Sequence, residues 1–320
     1  MSFSSQVKEE LSRHWSTARH CQIAELAAIL GMNGHIRKDP QGRVALIFQS
    51  ENEVVVRKCF TLLKKTFNIE TEIHVRQNMG LNKGNVYFIC LENYEDSQRI
   101  LQGIKAIGPD GEVSSQSVQI DSIVFQKNCC KRAFIRGSFL ASGSISDPEK
   151  FYHFEIVCST QEKAVQVQQV ISCFDIDAKI VMRKKSYVVY IKEGAQIVDI
   201  LGIMEAGLAL MNLENIRILK EMRNSVNRKV NCETANIHKT VNAAVKQIED
   251  IRLIEEKRGL GSLNPGLEQI ARLRLEYPEA TLKELGEMLS PAVGKSGVNH
   301  RLRKLSIIAE ELRGNKEELL

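Results

Sequence analysis

No apolar run in this chain approaches the ~18 residues a membrane-spanning helix needs, so a helical membrane protein is not expected. The first ten residues, Met1 to Glu10, carry no apolar core of secretory-signal length; the expected location is the cytoplasm. Eight cysteines, at 21, 59, 90, 129, 130, 158, 173 and 232, include no C-x-x-C, and the adjacent pair Cys129-Cys130 makes a poor disulfide. That pattern reads as buried thiols in a reducing compartment, with no metal site and no cofactor. What is present is an ordinary globular mixture: 320 residues, 43% apolar and 26% charged, with room for two or three domains. The net charge of +5 permits a polyanionic partner without requiring one.

Two segments 109 residues apart share one pattern. Leu26-Ala27-Ala28-Ile29-Leu30-Gly31-Met32-Asn33-Gly34 aligns with Ile135-Arg136-Gly137-Ser138-Phe139-Leu140-Ala141-Ser142-Gly143, each a small-residue helix that closes on glycine. The repeat continues beyond them. A turn (Asp39-Pro40-Gln41-Gly42, then Asp147-Pro148) leads to a strand, Val44–Phe48 or Tyr152–Val157. A helix (Asn52–Phe67, Gln161–Phe174), a second hairpin (72–76 with 86–90 across Gly80–Gly84, 179–183 with 187–191) and a closing helix (96–107, 195–204) follow. A short helix through Leu11, capped by Ser4 or Ser5, precedes the first copy.

The expected class is α+β: a tandem αββαββα repeat with two antiparallel sheets, then an all-α domain. Residues 1–20 form the N-terminal helix, 21–107 the first repeat, 108–129 a linker and 130–210 the second repeat; 211–233 is a basic linker and 234–320 a helical domain. Within the last, Thr234 would cap a helix ending at Gly259, Pro265 would open another, and Thr281–Glu284 is a capping box.

The paired nine-residue motifs and the unit order resemble the LAGLIDADG homing endonucleases. The resemblance implies two saddle-shaped sheets able to lie over DNA. It also implies an acid before each closing glycine, the two together holding divalent metals for phosphodiester cleavage. Here those positions are Asn33 and Ser142, neither of which anchors a metal as a carboxylate does, so cleavage chemistry reads as lost and no catalytic residue is expected. The recurring acids Asp39 and Asp147 precede prolines in turns, a sufficient structural reason for them. Arg76 and Arg183 recur at matching strand positions as additional candidates for DNA contact.

Residues 281–313 have the layout of a helix-turn-helix. Leu282, Leu285 and Leu289 would bury one helix; Val298, Leu302 and Leu305 would bury the next. The second helix then presents Lys295, Ser296, Asn299, His300, Arg301, Arg303 and Lys304, with no acid from 291 to 309. Arginine and asparagine read base edges and lysine or serine steadies phosphates, which makes these the candidate DNA contacts. The Ser290–Lys295 turn is longer than usual for the motif. Gly294-Lys295-Ser296 imitates the end of a P-loop, but position 289 is leucine where that loop needs glycine, and no strand leads in. Arg223, Arg228 and Lys229 in the basic stretch 217–231 could touch phosphates as well.

From Ser2-Phe3-Ser4 through Asn231-Cys232-Glu233-Thr234-Ala235-Asn236 to Lys295–Leu302, the whole chain resembles the WhiA family. The resemblance implies a DNA-binding regulator of Gram-positive bacteria, tied to sporulation or to cell division and chromosome segregation, with a helix-turn-helix like that of sigma factors. The expected partner is double-stranded DNA, with other regulatory or division proteins beside it and no membrane. The expected state is a nucleoid-associated monomer, because a tandem repeat supplies its own two-fold. A residual metal-dependent endonuclease and a protein-interaction scaffold are the alternatives.

Overall fold

The computed structural model describes residues 2–38, 44–77, 84–107 and 118–314. The expected turns at Asp39–Gly42 and Gly80–Gly84 and the first part of the 108–129 linker fall wholly or largely outside these residues. The chain divides into two compact units, 1–220 and 221–320.

In the first unit, α1 (Phe3–Arg13) leads to α2 (Arg19–Asn33), β1 (Gly34–Lys38), β2 (Val44–Ser50), α3 (Glu53–Phe67), β3 (Ile73–Gln77), β4 (Asn85–Leu91) and α4 (Tyr94–Gly103). The order then recurs as α5 (Asn128–Ser142), β5 (Gly143–Ile145), β6 (Phe154–Cys158), α6 (Gln161–Ser172), β7 (Lys179–Arg183), β8 (Ser186–Ile191) and α7 (Gly194–Met204). Each copy builds an antiparallel four-stranded sheet, in the orders β1-β2-β4-β3 and β5-β6-β8-β7. The expected repeat is therefore the observed fold. Ser2, not Ser4 or Ser5, caps α1, its hydroxyl accepting from the Ser5 N–H at 3.2 Å.

The central feature is the packing of α2 against α5, the most extensive contact between any two elements. Small residues permit it. A side chain at Gly137 would run into the Glu25 carbonyl oxygen at 2.4 Å, so α5 rests directly on the α2 backbone. Both helices are buried nearly all round, including two charged residues, Glu25 and Arg136. The Glu25 carboxylate lies 3.2 Å from Arg136 on α5 and 3.2 Å from Lys58 on α3; Arg136 also meets Glu205 at 2.6 Å and the Ser16 hydroxyl at 2.9 Å. Lys58 completes its shell with the Leu11 and His14 carbonyls and the face of Trp15. Burying charge costs free energy unless every ion is paired, and here both cations and the carboxylate are.

α8 (Gly207–Arg258) begins in the first unit and ends in the second. Its length corrects the expected helix start at Thr234: residues 211–233, read as a basic linker, are helical throughout. From Leu208 to Arg258 the sequence has neither glycine nor proline, so nothing interrupts the backbone ladder, and Thr234 is an interior residue instead of a cap. Gly259, with φ of 72°, takes the positive-φ conformation that ends the helix.

The second unit packs the end of α8 with α9 (Pro265–Glu276), α10 (Leu282–Met288) and α11 (Lys295–Gly314). Ile251, Ile254, Ile270, Leu285, Leu302 and Leu305 are at the centre of its core. Asn264 and Thr281 cap α9 and α10, and the expected capping box is formed: the Thr281 hydroxyl accepts from the Glu284 N–H while the Thr281 N–H donates to the Glu284 carboxylate at 2.7 Å.

Candidate nucleic-acid interface

The C-terminal ends of α2 and α5 are where the resemblance places a metal-dependent nuclease centre. Gly34 and Gly143 leave their helices in ordinary extended conformations, φ −81° and −84°. They are required by space, since a Cβ would strike the Leu30 carbonyl in one copy and Phe139 in the other. Asn33 is turned across the seam, its amide donating to the Ala141 carbonyl at 3.0 Å. The Ser142 hydroxyl turns back on its own helix, to the Ser138 carbonyl at 3.4 Å. Both positions thus serve helix packing. A cavity of about 870 Å³ opens beside Asn33 and Ala141, lined also by Arg76, Glu51, Glu53 and Lys8. Burial pushes the Lys8 ammonium down to about 8, and it remains a cation at neutral pH. Lys8 was not singled out from the sequence, where it is one lysine on a short amphipathic helix. Neither Asn33 nor Ser142 offers a divalent metal a carboxylate, and the Lys8 cation lining the same cavity adds repulsion.

Arg76 and Arg183 occupy equivalent places, three residues beyond the core-facing Ile73 and Ile180, on the sheet faces turned from the helices. Their surroundings differ. Arg183 meets the Glu155 carboxylate at 3.4 Å, a group His153 also contacts at 3.0 Å. Arg76 is exposed at the cavity edge and forms no ion pair with the described residues.

The helix-turn-helix is built as the pattern requires. Leu285, Leu289, Val298, Leu302 and Leu305 are buried, and Leu282 is half-buried against them. The long turn is accommodated by Gly286: the Val293 N–H bonds its carbonyl at 2.9 Å, and a Cβ there would lie 2.1 Å from the Val293 oxygen. At about 100° per residue, Ser296, Asn299, His300, Arg303 and Lys304 fall on the side of α11 away from the buried stripe, and all are exposed. Lys295 is exposed at the helix start. Arg301 is different. It lies on the flank, half-buried, with its guanidinium donating to the Gly266 carbonyl at 3.4 Å, so it ties α11 to the start of α9. Among the described residues, none of Lys295, Arg303 and Lys304 is in an ion pair. Arg223, Arg228 and Lys229 are exposed on α8.

These features define a class: a duplicated LAGLIDADG-like fold carrying a C-terminal helix-turn-helix. Family models describe the same parts, matching a WhiA N-terminal LAGLIDADG-like domain at 19–105, a WhiA LAGLIDADG-like domain at 131–223 and a WhiA C-terminal helix-turn-helix domain at 226–309. The chain belongs to the WhiA family. It is 55% identical over 314 residues to a probable cell division protein WhiA of Lachnoclostridium phytofermentans, covering 98% of this chain and 100% of that one. It is 45% identical to a protein of the same name from Clostridium beijerinckii, covering 99% and 100%. Its fold matches the crystal structure of full-length WhiA from Thermatoga maritima with a TM-score of 0.59 at 26% identity, over 97% of this chain and 99% of that one.

Proposed function

We propose that this chain is a non-catalytic regulator that binds double-stranded DNA through α11 and acts in transcription linked to cell division, with sporulation and chromosome segregation as further settings. The observation that carries the reading is the face of Lys295, Ser296, Asn299, His300, Arg303 and Lys304: exposed, without an ion pair among the described residues, and without an acid from 291 to 309. Uncompensated cations on a helix shaped for the major groove favour a polyanion, because each phosphate they neutralise releases a counterion. Arg301 supports that helix from behind. The link to division comes from the relatives, which are named probable cell division proteins. Arg76, Arg183, Arg223, Arg228 and Lys229 stand as secondary contacts, and nucleoid association of a monomer follows from the same reading.

Loss of cleavage rests on Asn33, Ser142 and the neighbouring Lys8. Genomic DNA crosslinked to the full chain, and to a chain with Arg303 and Lys304 changed to alanine, tests the binding role. Discrete sites lost in the variant are the expected result. Recovery of the same sites by both chains would place the contact elsewhere. Incubation of supercoiled plasmid with protein and Mg²⁺ tests the other half: cleavage abolished by a chelator would restore the nuclease, with Glu51 and Glu53 as its acids.

A further inference from the structure

The opposite ends of α2 and α5 hold a second set of matched residues. His20 and Cys21 are the second and third residues of α2; Cys129 and Cys130 are the second and third of α5. The two pairs are separated by the same 109 residues as the glycine-closed motifs, so the repeat that aligns Asn33 with Ser142 also aligns His20 with Cys129 and Cys21 with Cys130. The helix packing brings all four together: the imidazole nitrogen and three sulfurs lie within 4.8 Å of one another. Nδ1 of His20 is 3.1 Å from the Cys130 sulfur and 3.3 Å from that of Cys21.

We propose that this cluster is a structural zinc site that joins the two repeats. Three thiolates and an imidazole form a closed donor set that suits Zn²⁺. A tetrahedron with bonds of about 2.0–2.3 Å has edges of roughly 3.4–3.8 Å, so small adjustments from the observed spacing complete it. The surroundings suit the charge. Neither α2 nor α5 has a side-chain cap, and the positive ends of both helix dipoles converge where thiolates would sit. Binding moves no electrons: three S–H protons leave to solvent and three Zn–S bonds and one Zn–N bond form. The other buried cysteines contrast with these. Cys59 and Cys158 sit singly in the apolar core, and among the described residues neither belongs to a group of potential ligands. Cys129 and His20 keep one side exposed, which gives a metal a way in.

The site is independent of the DNA reading and is tested on the full chain without DNA. The protein is expressed with zinc supplied, purified under reducing conditions without chelator, and its metal content measured by mass spectrometry. About one zinc per chain is expected, falling at least tenfold in the Cys129→Ser/Cys130→Ser double variant and unchanged in Cys232→Ser. Replacement with Co²⁺ in the unaltered protein should give thiolate charge-transfer bands and the intense visible bands of a tetrahedral centre, whether or not the variant folds. Mercurial titration of its thiols should release the zinc. A chain that is metal-free as purified and takes up neither Zn²⁺ nor Co²⁺ overturns the proposal. So does zinc retained in full by the double variant, or an alkylation mass showing Cys21 disulfide-bonded to Cys130 in the reduced preparation.

Discussion

Charge is handled in opposite ways by the two units. In the repeat unit it is turned inward and matched: Glu25, Lys58 and Arg136 are buried and satisfy one another across α2, α3 and α5. Even at its surface, Arg183 is neutralised by Glu155. In the helical unit one acid, Asp250, is buried and held by Arg313 of α11 at 2.6 Å, while Lys295, Arg303 and Lys304 of the same helix face outward with no ion pair among the described residues. Paired internal charge fixes which helices meet. Unpaired external charge adds little to folding and leaves its interaction energy for another molecule. The resemblance to a nuclease would assign DNA contact to the first unit; the disposition of charge is why we propose it for the second.

The contrast is most severely tested at Arg136. Alanine there leaves Glu25 with Lys58 alone and should destabilise the chain by about 3–5 kcal/mol in denaturant titration. Unchanged stability would mean the network contributes nothing to the repeat. On the other side, changing Arg303 and Lys304 together to alanine should weaken DNA binding on the order of 10- to 100-fold and reduce the salt slope by roughly 2. Unfolding should move by less than about 0.5 kcal/mol, as befits exposed, unpaired groups. Fluorescence anisotropy across a salt series measures both quantities.

Lys8 sharpens the picture through pH. It binds its proton less tightly folded than unfolded, about 8 against 10.5, so at neutral pH the folded state bears the cost of a buried cation. Between those values the unfolded chain holds more protons and stability should rise with pH. Lys8→Met should reduce that rise, to which Lys58 and Lys163, also lowered by burial, contribute in the same direction, and stabilise the protein at pH 7 by on the order of 1–3 kcal/mol. Stability that climbs equally in the variant would locate the cause elsewhere. The smallest effect is expected at Arg183→Ala: within about 0.5 kcal/mol in stability, as for other exposed pairs, and less loss of DNA affinity than Arg76→Ala. The reverse order would make the second sheet the better DNA surface.

Much of this was legible in the sequence because it rests on local pattern. The alternating strands around Phe48 and Ile156, the capping box at Thr281 and Glu284, and the 298-302-305 stripe each declare themselves within a few residues. Two features were not. The continuity of α8 is signalled by an absence, 51 residues without glycine or proline, while Thr234 and a run of basic residues point the other way. His20, Cys21, Cys129 and Cys130 defeat any search for ligands at short spacing, because each half of the cluster comes from a different copy of the repeat. Superimposing the copies would have revealed them. Arg301 shares its neighbours' charge, while helical geometry sets it on the flank of the exposed face.

The amide of Asn33 bears on how such a protein changes over time. Because it donates to the Ala141 carbonyl, substitution by aspartate would do more than restore an acid. The donor would vanish and an anion would stand against a carbonyl oxygen at the tightest seam in the fold. The residue before the closing glycine thus belongs to the seam between the repeats, where an amide serves as a donor that a carboxylate cannot replace.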